Sequence, residues 1–175
     1  RISDCVIDAN APGRQRLARG GDTLPAVPLK TVFPTDAFGQ AVRAAVELAA
    51  MDPNLPVIHL TLNGHDGDKH HSVDTHWDQL KWHPDALARL AAGFVALRSG
   101  LREIGRWEDT LVATYDEFGR SPRENDLKGT HHGAATTHFV LGGRVKGGLV
   151  GEAPPVQDLH MIGGPPPTID TRRLW

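Results

Sequence analysis

Two polar stretches hold most of the ten histidines in this 175-residue chain. The first, GHDGDKHHSVDTHWDQLKWH (Gly64–His83), carries His65, His70, His71, His76 and His83 beside Asp66, Asp68, Asp74 and Asp78. The second, DEFGRSPRENDLKGTHH (Asp116–His132), ends on His131 and His132. Imidazole and carboxylate donors without a thiolate favour zinc, manganese or iron over a structural sulfur site. The sharpest pair is Asp74-Thr75-His76. In an extended segment, residues two apart project to the same side, so both can share one cation. His83, seven residues further on, is also reachable. His65, Asp66, Asp68, His70 and His71 lie in a charged, glycine-punctuated run whose plain reading is solvation.

In the second stretch, Glu117 stands just past an apolar run, where an active-site carboxylate belongs. Its plain alternative is a helix cap or an ion pair with Arg120 or Arg123. Neighbouring side chains diverge, so His131 and His132 are not expected to bind one ion together. His132 is the expected ligand and His131 its outer partner. Gly133 lets backbone approach a ligand. Asn125 and Arg120 can orient a polar substrate, and the planar fork of Arg120 suits an anion. Ser72 and Thr75 lie in the first stretch, yet no nucleophile signature surrounds them.

The elements that must position these residues follow from periodicity. Arg1–Ala9 has the composition of a short strand, and residues 10–32 read as an irregular, glycine- and proline-punctuated connection. Thr35 or Asp36 can cap a helix reaching about Met51, with Phe38, Val42, Ala45, Val46 and Ala49 on one face. Asp52-Pro53-Asn54 stops it. Pro56–Leu62 (PVIHLTL) reads as a buried strand. A long helix follows from about Pro84, a first-turn residue, to a stop at Gly105. Its expected apolar face is Leu87, Leu90, Ala91, Phe94, Leu97, Leu101 and Ile104. Leu111–Tyr115 is a second strand and His138–Leu141 a third.

Strand, long helix, strand is the βαβ unit, whose strands run parallel. The expected fold is therefore α/β, a mostly parallel sheet flanked by helices. Both polar stretches would leave the sheet's carboxyl edge, where ligands bind in open α/β sheets. The tail 142–175 is too rich in glycine and proline for regular structure and is expected to lie on the surface.

Composition excludes several classes. A formal net charge of −2 leaves no basic footprint for nucleic acid or acidic membrane. No apolar run approaches the ~20 residues of a membrane span. One cysteine, Cys5, rules out an internal disulfide framework.

The motifs PVIHLTLNG, DTHWDQ (Asp74–Gln79), TYDEFGR (Thr114–Arg120), EN (Glu124-Asn125), GTHHG (Gly129–Gly133), FVLGGRVKGGLVGE (Phe139–Glu152) and TIDTRRLW (Thr168–Trp175) occur in order. The chain thereby resembles the C-terminal half of the domain of unknown function 1501 (DUF1501) family, within the alkaline phosphatase and sulfatase superfamily. Three departures stand out. Residues 65–73 are inserted, with Val73 in place of a phenylalanine. The family's aspartate-histidine-glycine appears as His131-His132-Gly133. Nothing in residues 1–32 resembles the segment that supplies the superfamily's first metal-binding aspartate and nucleophile.

The resemblance implies an alkaline-phosphatase-like sheet of which residues 33–175 form the C-terminal part, residues 1–32 being the connection. Metal would bind Asp74, His76, Glu117 and His132, with zinc first and manganese or iron next. Arg120 would hold a small anionic substrate, while His131 or His83 carries a proton. Hydrolysis of a phosphate or sulfate ester follows by analogy alone. The rival expectation is a non-catalytic metal-binding or scaffold module, completed by an N-terminal segment or a second chain. Family members are commonly exported, so a periplasmic or secreted location is expected.

Overall fold

The computed structural model describes residues 27–62, 73–152 and 168–170. The expectations for residues 1–26, for His65, Asp66, Asp68, His70, His71 and Ser72, and for most of the tail beyond residue 152 lie outside them. The described residues form a mixed α/β structure in two compact units, one made of those within Arg1–Val73 and Trp82–Glu108, the other of those within Asp74–Lys81 and Asp109–Trp175.

The first unit is helical. Helix α1 is Ala37–Met51, capped by Asp36, whose carboxylate accepts from the Gly39 backbone N–H at 3.0 Å. That bond satisfies one of the donors a helix leaves open at its start. Phe38, Ala41, Val42, Ala45 and Val46 are buried, close to the face the spacing predicts. Helix α2 is Gln79–Glu103. It ends in a Schellman turn at Gly105 (φ +71°), with Arg106 N–H donating to the Leu101 carbonyl at 2.7 Å.

Two features of α2 correct the sequence expectation. It starts five residues before Pro84, which lies inside it rather than opening it. Its buried face is Ala86, Gly93, Ala96, Leu97, Gly100 and Leu101, whereas Leu87 is 44% exposed. Small residues make the seam because bulk comes from elsewhere in the unit. A Cβ on Gly93 would stand 2.3 Å from the Phe38 ring, and one on Gly100 2.9 Å from Val46. The apolar count followed side-chain size, while packing selected the stripe that admits neighbouring bulk.

Residues 56–62 form no strand. His59 alone makes a bridge, and Val57 is 50% exposed. In the second unit, β1 (Leu111–Ala113) pairs antiparallel with β4 (Val140–Gly142). Asp116–His132, expected as a loop, contains β2 (Gly119–Glu124) and β3 (Thr130–Gly133), an antiparallel hairpin. Every strand pairing among the described residues is thus antiparallel, in place of the parallel arrangement expected. For β2 and β3 the physical reason is local: Asn125 turns the chain back on itself after β2, so the nearest backbone donors belong to the returning strand.

Candidate metal centre

The hairpin turn is built by Asn125. Its side-chain oxygen accepts from Leu127 N–H at 2.9 Å and Gly129 N–H at 3.0 Å. Its backbone N–H donates to the Gly129 carbonyl at 2.8 Å. Lys128 closes the turn with φ 59°, unusual for a residue with a Cβ. The β2–β3 register places Arg120 opposite His132 and Gly119 opposite Gly133, then slips between Arg120 and Glu124. Pro122, which has no N–H to give the ladder, stands within that irregularity.

The segment Asp74–Gln79 lies against this hairpin. Thr130 N–H donates to the Thr75 carbonyl at 3.1 Å, and the Asn125 amide to the His76 carbonyl at 2.9 Å. Asp78 N–H reaches the Leu127 carbonyl at 3.0 Å and Gln79 N–H the Lys128 carbonyl at 2.9 Å. Gly129 makes this approach possible. A Cβ there would stand 2.1 Å from the His76 carbonyl carbon and 2.4 Å from the Trp77 nitrogen. Thr75 is buried, while Asp74 and His76 project to the other side, as alternation in an extended segment requires.

Three donor atoms converge there. His76 Nε2 is 3.0 Å from Asp74 Oδ1 and 3.0 Å from His132 Nε2, and His132 Nε2 is 3.2 Å from Asp74 Oδ1. Asp74, His76 and His132 form a group that could hold a metal ion. The geometry suits one. A tetrahedral ion with bonds of about 2.0–2.1 Å spaces its donors by about 3.3–3.4 Å, a few tenths more than these separations. Protons serve such a triangle poorly, since one hydrogen at most can lie between two nitrogens. An ion serves all three at once. Phe118 stacks on the His132 ring, centroids 3.5 Å apart and planes 10° from parallel, which fixes the imidazole's orientation.

The other predicted site residues are placed differently. Glu117 is exposed and outside the group of three. His131 is exposed on the hairpin, its ring centroid 6.4 Å from that of His76. His83 lies in α2, within the first unit. Arg120 donates from one terminal nitrogen to Asp74 Oδ1, from the other to the Thr130 carbonyl, and from Nε to Thr130 Oγ1 at 3.0 Å. Gly133 admits the Arg120–Ser121 backbone of its own partner strand, not a ligand. Asn125 uses its amide on the protein backbone, so orienting a substrate is not its visible task.

Sequence reasoning missed Phe118, Gly129, Thr130 and Gln79. Alternation held the signal for two of them, since Phe118 precedes Arg120 by two and Thr130 precedes His132 by two. Gly129 and Gln79 gave none, because their partners are distant in sequence.

Among the described residues, no helix is long and apolar enough to cross a membrane. Comparison with known proteins gave no match among curated proteins or solved structures. Residues 12–161 match the family described as "Protein of unknown function (DUF1501)". That match covers most of the 175 residues and includes the whole donor triangle, so the chain belongs to the DUF1501 family.

Proposed function

We propose that the chain is the metal-binding part of a metal-dependent hydrolase acting on a small anionic ester, a phosphate or a sulfate. Zinc is the first choice of ion, held by Asp74, His76 and His132. One observation carries the reading: the three donor atoms lie 3.0–3.2 Å apart on partly exposed side chains. Two imidazoles and one carboxylate are also the donor set of hydrolytic zinc sites that keep a position open. A bound divalent ion would supply Lewis acidity toward a phosphoryl or sulfuryl oxygen. The chain's own residues keep the donors in register, and exposed His131, next to a ligand, suits a proton carrier. Ester chemistry rests on analogy from the alkaline phosphatase and sulfatase superfamily, in which the sequence resemblance sets the DUF1501 family.

A second reading, a metal-binding module without turnover, has its own support. Thr75 and Ser121 are buried and the Thr130 hydroxyl is given to Gln79, so these three hydroxyls are poorly disposed to attack a substrate. Elemental analysis and assays with aryl phosphates and sulfates separate the readings. Bound zinc with turnover supports the hydrolase, and bound zinc without it supports the module. No bound ion, and no turnover after zinc or manganese is added, removes both.

A further inference from the structure

We propose that Arg120 is a positioning residue for the ligand Asp74, acting with Thr130 and Gln79, and is not the group that holds a substrate anion. The inference rests on the metal reading above and assigns a role within the same site. An anion-binding arginine needs donors facing solvent. Here three of the five N–H donors of Arg120, one on each nitrogen, are directed at Asp74 and Thr130, and the side chain is only 16% exposed.

The contacts form a connected set. Arg120 takes Asp74 Oδ1, the same oxygen that faces His76 and His132. A carboxylate oxygen has two lone-pair directions, so one can accept from Arg120 while the other points at an ion. Thr130 Oγ1 accepts from Arg120 Nε and donates to Gln79 Oε1 at 2.7 Å, which uses its single hydrogen. Gln79, five residues after Asp74, returns the set to the segment that carries two ligands. The hairpin register adds the last constraint, since Arg120 stands opposite His132. Moving the Asp74 carboxylate out of the triangle therefore breaks the pairing with Arg120, whose own direction is set by two bonds to Thr130.

Zinc titration by calorimetry, and the visible absorption of the cobalt(II) form, test this on the full chain. Arg120→Met is expected to bind zinc about 10–100-fold more weakly, the usual loss for an outer partner of a ligand. Its cobalt spectrum should shift while its circular dichroism stays that of the parent. Thr130→Val, which removes one hydroxyl, should weaken binding in the same direction by less. It decides the matter should Arg120→Met fail to fold. Parent-like affinity and an unshifted spectrum in a folded variant overturn the role of Arg120 and leave the metal reading intact. A parent protein that binds neither zinc nor cobalt overturns both.

Discussion

The two units hold their parts together by opposite means. In the first, α1 and α2 meet through side chains, with glycines at 93 and 100 receiving Phe38 and Val46. In the second, the 74–79 segment meets the hairpin through backbone, with Gly129 receiving the main chain of His76 and Trp77. A ring or an isopropyl group can rotate away from an intruding atom, but a hydrogen-bonded main chain cannot. The first unit should therefore absorb change gradually. The second should lose its site abruptly.

Gly129→Ala is the severest test of that contrast. Its new Cβ would lie 2.1–2.4 Å from main-chain atoms of His76 and Trp77, so the segment must leave the hairpin. Zinc binding should fall to the level of His76→Ala in the same titration. Undiminished binding would break the comparison outright.

His132→Ala removes one of three donors and leaves the backbone docking in place. Its zinc affinity should drop beyond the ~10–100-fold typical of outer partners, with little change in thermal midpoint in the absence of metal. A smaller loss would mean that the triangle is not the ligand set.

Gly93→Ala makes the same chemical change as Gly129→Ala, but against the Phe38 ring. Crowding costs about 1–3 kcal/mol, offset by about 1 kcal/mol of helix propensity. Net destabilisation of about 1 kcal/mol is expected in urea unfolding, with zinc affinity unchanged. A loss as abrupt as that of Gly129→Ala would erase the distinction between the units.

Glu103→Gln should have the smallest effect, visible mainly as a pH dependence. Glu103 is the last residue of α2, where the helix dipole disfavours a carboxylate. It accepts from Lys30 N–H at 2.6 Å, Thr31 N–H at 2.8 Å and the Thr31 hydroxyl at 2.6 Å. Those bonds, the one from Lys30 first, hold its carboxyl below the ordinary range. A lowered native pKa gives stability that is complete above the ordinary carboxylate pKa and lost as pH falls through the native one. The thermal midpoints of parent and variant should differ at neutral pH and converge in strong acid. A gap that persists unchanged there would disprove the assignment.

Much of this was legible where the physics is local. Asp36 as a cap, Gly105 as a stop and the buried face of α1 depend on neighbours within about one helical turn. The same holds for the common side of Asp74 and His76. The seam of α2 was read correctly at Leu97 and Leu101 and missed at Gly93 and Gly100, which are chosen by Phe38 and Val46, residues the α2 sequence does not contain. The hairpin was misread as a loop because GRSPRE and THHG lack the β-branched alternation that marks strands. Its register goes with one asparagine at the turn and one glycine pair, Gly119 with Gly133.

The sequence by itself determined which atoms are available: imidazoles and carboxylates without thiolates, and the two-residue spacing that turns Asp74 and His76 the same way. Only the tertiary structure decided which of them meet. It brought His132 to that pair, left Glu117 outside it and turned Arg120 onto Asp74. Spacing along a chain fixes direction over a few residues. Proximity across 56 residues, as between His76 and His132, is set by backbone docking and by the one glycine that allows it.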